Sequence, residues 1–436
     1  MVDGLTHEGE GVVHAGKTVF VAGALPGERI RMRRTRRHRQ HDDGELLEVL
    51  SASAARVTPR CPHFGVCGGC ALQHLAPAAQ LAAKEQELRD NLARVARASP
   101  RRWLAPLIGP EWGYRRRARL GARFVHKKNR ELVGFRERAG RYVAELAHCD
   151  VLAPPAGGLI APLAQLIGSL TIREAVPQIE VAVADNATAL VLRVLEPPVP
   201  ADLERLTAFA AAQRVRLYLQ PGGLDSVQEL GAPGEPLHYA LPEFGLELEF
   251  APTDFIQVNA AVNEALVARA VELLAVDADS RVLDLFCGLG NFTLALAQRA
   301  GSVTGVEGER VLIERARGNA LRNGIGNTSF HVADLALPLN RDAAPWLREG
   351  YSHVLLDPPR SGARELLAAV AELAPARLLY ISCHPGSLAR DLGVLVHEHG
   401  FTVEAAGVVD MFPHTAHVES LALLSRTRAP RRVGTA

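Results

Sequence analysis

Asp284-Leu-Phe-Cys-Gly-Leu-Gly-Asn-Phe-Thr293 continues an apolar run that begins at Arg281 and leads into the helix-like stretch Leu294 to Ala300. Strand, glycine turn and helix in that order bring backbone close to a ligand at the carboxyl end of the strand, and Gly288 and Gly290 make the approach possible. A dinucleotide-phosphate turn would carry a third glycine where Thr293 stands. The same rhythm repeats outward from this point. Val303-Thr-Gly-Val-Glu307 precedes a helix through Arg322, and Ser329-Phe-His-Val-Ala-Asp334, His353-Val-Leu-Leu-Asp-Pro-Pro-Arg360, Leu378-Leu-Tyr-Ile-Ser-Cys-His-Pro385 and Glu419-Ser-Leu-Ala-Leu-Leu-Ser425 follow. Strands alternating with helices predict a parallel, doubly wound sheet from residue 251 to residue 436, with its ligands at the strand ends.

The chemistry-bearing residues fall at those ends. Glu307 ends its strand as an acid suited to the two hydroxyls of a ribose, and Asp334 ends the next, placed to face an adenine. A glycine turn followed by two acids at successive strand ends has the layout of an S-adenosylmethionine pocket. In Leu356-Asp-Pro-Pro-Arg360, two prolines fix the backbone and hold Asp357 over the mouth, where it can accept a hydrogen bond from a nucleobase N–H. Cys383 closes a further strand. A thiolate there can attack C6 of a uracil and make C5 nucleophilic enough to take a methyl group. The adduct then requires a base to remove the C5 proton, and Glu419 is the candidate, with His414 and His417 beside it in sequence. Cys287 reads as a packed thiol.

The rest of the chain divides in two. Residues 1–54 alternate short apolar runs with Gly, Pro and Asp turns, which predicts a small antiparallel barrel. Residues 55–250 read as a central α+β domain: a cysteine knot, a helix over residues 78–98, then β-like segments. Cys61-x5-Cys67-Gly-Gly-Cys70 brings three thiols together and Cys149 can supply a fourth, a set that fits either zinc or an iron–sulfur cluster. The uncharged stretch from Val151 to Ile172 is broken by Pro154, Pro155, Gly157, Gly158 and Pro162, so it reads as a loop and a buried helix, not a membrane span. An acidic, polar start predicts no export and a cytoplasmic protein.

Over 436 residues the net charge is only +1, yet residues 1–141 carry 27 Lys and Arg against 14 Asp and Glu, leaving 22 against 34 for the remainder. A basic front points to a polyanion. Its densest runs are Arg29 to Arg39 and Arg115 to Arg141, the second interleaved with Phe124 and Phe135, which can stack on bases.

Taken together, these motifs resemble those of the RNA uracil-C5 methyltransferase family over nearly the whole chain, and in particular its bacterial branch acting on 23S ribosomal RNA. The resemblance implies a TRAM (OB-like) RNA-binding barrel at residues 1–54, a [4Fe-4S] cluster on Cys61, Cys67, Cys70 and Cys149 in the central domain, and a Rossmann-like S-adenosylmethionine-dependent domain. Phe255-Ile-Gln-Val-Asn259 resembles the family's FxQVN segment, which adds Gln257. By the same resemblance Phe286, Asn291, Glu307, Asp334 and Asp357 line the cofactor and uracil pocket, Cys383 matches the nucleophile and Glu419 the base. The family's SCNP reads SCHP here, with His384 for asparagine, and Gly386 stands for a common alanine. The implied partner is 23S rRNA, with no membrane and no obligate protein partner. Competing readings are C5 methylation of another rRNA or tRNA uridine, methylation of a nucleobase amine through the Asp-Pro-Pro loop, a cytosine-C5 enzyme, and a non-catalytic iron–sulfur RNA-binding protein.

Overall fold

The computed structural model describes residues 1–138, 140–338 and 344–426. Residues 1–51 form a five-stranded sheet in the order Gly4–Leu5, Gly11–Ala15, Lys17–Val21, Asp42–Ser51, Arg29–Arg37. Its edges meet where Val2 bonds through its N–H to Glu28 O and through its carbonyl to Gly27 N, so the sheet curls around Val2, Val13, Val19, Val21 and Ala24. One pairing departs from the antiparallel expectation: Lys17–Val21 runs parallel to Asp42–Ser51, because the hairpin that ends in Asp42–Ser51 starts with the intervening strand Arg29–Arg37.

That hairpin also changes the charge argument. Arg31 pairs with Glu48, Arg33 with Glu45 and Arg34 with Asp42 across the ladder, so part of the basic run is neutralised by its own partner strand. Arg29, Arg36, Arg37 and Arg39 are exposed and make no ion pair among the described residues. Exposed pairs of this kind are worth at most about 1 kcal/mol, and a phosphate can displace them.

The central sheet has six strands, ordered Gln228–Glu229, Arg216–Gln220, Thr188–Arg193, Gln178–Val183, Arg117–Val125, Arg130–Gly134. Helix Ile160–Ser169 buries Ile160, Leu163, Leu166 and Ile167 against it. The stretch that mimics a membrane span is this helix and the loop before it. Among the described residues no helix is long and apolar enough to cross a membrane.

The C-terminal sheet has eight strands, ordered Thr328–Val332, Ser302–Glu307, Arg281–Leu285, His353–Leu356, Arg377–Ser382, Glu419–Ser425, Thr402–Val409, Arg102–Trp103. The first five are mutually parallel. Glu419–Ser425 runs antiparallel to both neighbours, contrary to an all-parallel expectation. The reason lies in the connection: residues 410–418 join it to Thr402–Val409 without a crossover helix, and only an antiparallel return is then open.

Two pieces expected in the central domain pack on this C-terminal unit. Helix Pro77–Asn91 and the turn Leu92–Ala96 bury Leu88, Leu92 and Ala96 in the core that holds Leu392 and Leu395 of helix Pro385–His397. Hairpin Leu237–Leu241/Leu246–Phe250 is tied to helix Arg310–Arg322 by Asn319 and Asn323, which bond the backbone of Glu249 and Glu247.

Candidate active site

Register brings the candidate residues together. Ser382 pairs with Ser420 in the antiparallel ladder, so the next residues outward, Cys383 and Glu419, face each other at the same sheet end. Leu356 pairs with Tyr380, which sets Asp357 beside them, and Leu285 pairs with both Leu356 and Val306, which adds Phe286 and Glu307.

The site is buried and rich in carboxylates. Glu419 is 3% exposed, and burial, reinforced by the charge of Asp357, pushes its carboxyl up to about 8. Burial lifts Asp357 to about 7. The Cys383 thiol is raised by burial and then by Glu419 and Asp357, while Arg360 pulls it down. Cys383 also sits just before helix Pro385–His397, whose positive end favours a thiolate. His384 is the N-cap: its Nδ1 accepts from Ser387 N–H at 3.1 Å, the bond an asparagine side chain would make there. The departure from SCNP therefore keeps the cap.

Around the glycine turn, Glu307 accepts the N–H of Gly288 at 3.1 Å and of Gly308 at 2.7 Å. Gly288 has φ +54° with open space where a Cβ would stand, and Phe286 beside it has φ 67°. Asp284, absent from the sequence-derived set, is fully buried; Thr293 donates to one oxygen at 2.5 Å, the other has no partner, and burial lifts the carboxyl to about 7. Asn291 accepts from Tyr239 OH at 2.9 Å and exchanges two 3.0 Å bonds with Asn263. Gln257 lines a cavity of ≈ 250 Å³ with Tyr239, Asn263 and Arg116. Asp334 is exposed and bonds the N–H of Ala336 at 2.9 Å. An orphaned buried carboxylate oxygen, an open glycine cradle and an acid at the next strand end fit an adenosyl cofactor.

The neighbouring histidines separate. His414 faces inward: it is buried, its ring is 4.0 Å from that of Trp112, and its backbone N–H donates to Gln80 at 2.9 Å. His417 lies at the mouth, 2.7 Å from the Arg360 guanidinium. Sequence reading missed what anchors this loop. Lys84, 2% exposed, donates to Asp410 at 2.7 Å and to Phe412 O at 2.9 Å, and Tyr114 OH donates to Pro413 O at 3.0 Å. Gln80, Lys84 and Leu88 repeat every four residues on one buried helix face, which is the signal that was available.

Cys61, Cys67, Cys70 and Cys149 line one cavity of ≈ 480 Å³, walled also by Arg115, Phe135, Leu146 and Val151. Burial and the neighbouring thiols push Cys67 up to about 11 and Cys70 up to about 12. Four thiols gathered on one cavity fit either zinc or an iron–sulfur cluster.

Fold and site define an α/β methyltransferase with a cysteine and an acid at its substrate mouth. Residues 244–427 match the family described as tRNA (Uracil-5-)-methyltransferase. The chain is 52% identical to the "23S rRNA (uracil(1939)-C(5))-methyltransferase RlmD" of Alkalilimnicola ehrlichii, over 98% of this chain and 96% of that one. It is 49% identical to the protein of the same name from Nitrosococcus oceani, over 98% and 96%. The crystal structure of the Pyrococcus abyssi tRNA (uracil-54, C5)-methyltransferase in complex with S-adenosyl-L-homocysteine superposes with TM-score 0.74 at 23% identity, over 97% of this chain and 99% of that one, a likeness of fold. The chain belongs to the RNA uracil-C5 methyltransferase family, whose members are S-adenosylmethionine-dependent enzymes.

Proposed function

We propose that this chain methylates C5 of uridine 1939 in 23S rRNA, with Cys383 as nucleophile and Glu419 as base. The observation that carries the reading is the ladder register that sets Cys383 opposite Glu419 beside the fixed Asp357. S-adenosylmethionine, when bound, supplies an electrophilic methyl group, and the residues suited to hold it are Gln257, Phe286, Asn291, Glu307, Asp334 and Asp284. Cys383 forms a bond to C6 of the flipped-out uracil and drives electron density onto C5. Asp357, in its neutral form, donates toward a uracil carbonyl, or as carboxylate accepts the N3–H. Once C5 carries the methyl group, Glu419 takes the C5 proton, and the electrons of that C–H bond expel the Cys383 thiolate. Raised to about 8, Glu419 in its carboxylate form is a stronger base toward the C5 proton than an exposed glutamate.

The N-terminal barrel acts as a TRAM-like RNA grip. Its turn at Gly9, φ +79°, stands against Leu72 and Ala416, next to the site mouth, and a Cβ at Gly9 would push the Leu72 side chain aside. Cys61, Cys67, Cys70 and Cys149 would hold a [4Fe-4S] cluster with a structural role, since none of the four stands among the strand ends that carry Cys383 and Glu419. The compartment is the cytoplasm, where ribosomal RNA is found. The test is incubation of purified protein with tritium-labelled S-adenosylmethionine and unmodified 23S rRNA, followed by nucleoside analysis. Labelled 5-methyluridine at position 1939 supports the proposal. Label on an adenine amine, or at a different uridine, replaces it with one of the competing readings.

A further inference from the structure

Strands Arg117–Val125 and Arg130–Gly134 pair with Phe124 directly across from Glu131, so the two side chains rise from the same face of the central sheet. Glu131 is 5% exposed and, among the described residues, neither of its carboxylate oxygens has a hydrogen-bond partner. It lines an open cavity of ≈ 1350 Å³ together with Phe124, Arg173, Gln165 and His63. The Arg173 guanidinium stands 4.3 Å over the Phe124 ring, and the His126 ring meets its edge at 5.1 Å. Burial and the nearby Glu174 raise the Glu131 carboxyl to about 7, against the pull of Arg173. A buried carboxylate without donors is costly unless something supplies them.

We infer that this cavity binds an unpaired guanine of the RNA, stacked on the Phe124 and Arg173 surface with its Watson–Crick edge on Glu131. The match is one of donors. Two parallel carboxylate acceptors require two adjacent N–H groups, and guanine presents them as N1–H and N2–H. Adenine and cytosine each place a ring acceptor beside their amine, and uracil places carbonyls on both sides of its one N–H, so each sets an acceptor against the carboxylate. An aromatic ring capped by an arginine is the surface on which single-stranded bases stack. Phe124 and Glu131 lie in the basic run from Arg115 to Arg141, on the central sheet and not on the sheet whose strand end carries Cys383, and the site selects substrate without touching the target uracil. The inference rests on the chain being an RNA enzyme.

The test uses the full chain and two nine-nucleotide RNAs, one all adenosine and one with a central guanosine, measured by fluorescence anisotropy at low salt. Neither contains uridine, so the methylation pocket takes no target. The guanosine RNA binds wild type about tenfold more tightly, within the range of a good bidentate base contact. Glu131→Gln removes that preference while leaving the affinity for the adenosine RNA unchanged, and Phe124→Leu weakens binding of the guanosine RNA. Equal affinity of wild type for the two RNAs overturns the guanine site, as does a preference that survives Glu131→Gln. Methyl incorporation into 23S rRNA judges the enzymatic reading separately and is unaffected by such a result.

Discussion

Replacing Lys84 with methionine isolates the buried contact that fixes the loop before Glu419. The ammonium is 2% exposed and donates to Asp410 at 2.7 Å and to Phe412 O at 2.9 Å; burial pulls its pKa down and Asp410 pushes it back up. Removing one partner of such a pair costs about 3–5 kcal/mol, because the other is left buried and unpaired. Asp410 retains 16% exposure, which brings the expectation to the lower end, about 3 kcal/mol. The double variant Lys84→Met/Asp410→Leu replaces the pair with apolar groups and regains most of the loss. The assay is urea unfolding of wild type and both variants, alongside initial rates of methyl transfer. Turnover falls in Lys84→Met even under conditions where the protein remains folded, since residues 410–417 deliver Glu419. A stability loss under about 1 kcal/mol, or a double variant no better than the single, refutes the argument that this is a buried, positioning ion pair.

Further outcomes follow from the same geometry. Glu419, Asp357 and Asp284 all have folded-state pKa values above their unfolded ones, so their contribution to stability is fully present below about pH 4 and is lost as pH rises through about 7–8. Urea midpoints of the cofactor-free protein therefore fall between mildly acidic and mildly alkaline buffer, and Glu419→Gln flattens part of that slope; a midpoint that rises with pH and is unchanged by the substitution contradicts it. His384→Asn preserves the cap on helix Pro385–His397 and leaves stability within about 0.5 kcal/mol, whereas His384→Ala loses about 1 kcal/mol in thermal or urea unfolding. Iron and acid-labile sulfide analysis of anaerobically purified protein gives four of each per chain, and Cys70→Ala loses them; one zinc per chain instead would reject the cluster.

How much of this was legible in the sequence depends on which interaction sets each feature. The α/β unit was readable from Asp284–Thr293 outward because parallel strands buried on both faces are continuous apolar runs, and their polar ends stand out. The antiparallel course of Glu419–Ser425 was not, since direction leaves no mark on a buried strand's composition. It nonetheless decides that Glu419 opens its strand where Cys383 ends its own. Helix Pro77–Asn91 showed its period, but its partner lies more than 300 residues away at Asp410 and Phe412, and local patterning carries no such information. The basic run Arg29 to Arg39 overstated free charge, because its neutralising acids come from the strand that follows it. Asp284 was in view and passed over: it stands inside its strand, before the end where Glu307 and Asp334 stand in theirs, and only the structure shows one of its oxygens unpartnered among the described residues.

The central claim is that Cys383 bonds to the uracil ring during methyl transfer, and 5-fluorouridine tests it most directly, because fluorine at C5 blocks the proton removal assigned to Glu419 and strands the adduct. The protein is incubated with S-adenosylmethionine and a 23S rRNA fragment carrying 5-fluorouridine at the target position, then digested and analysed by mass spectrometry. The account predicts a denaturation-resistant RNA complex that requires S-adenosylmethionine and maps to the Cys383 peptide. An adduct on Cys287, or none at all while the unfluorinated fragment is methylated, would contradict it.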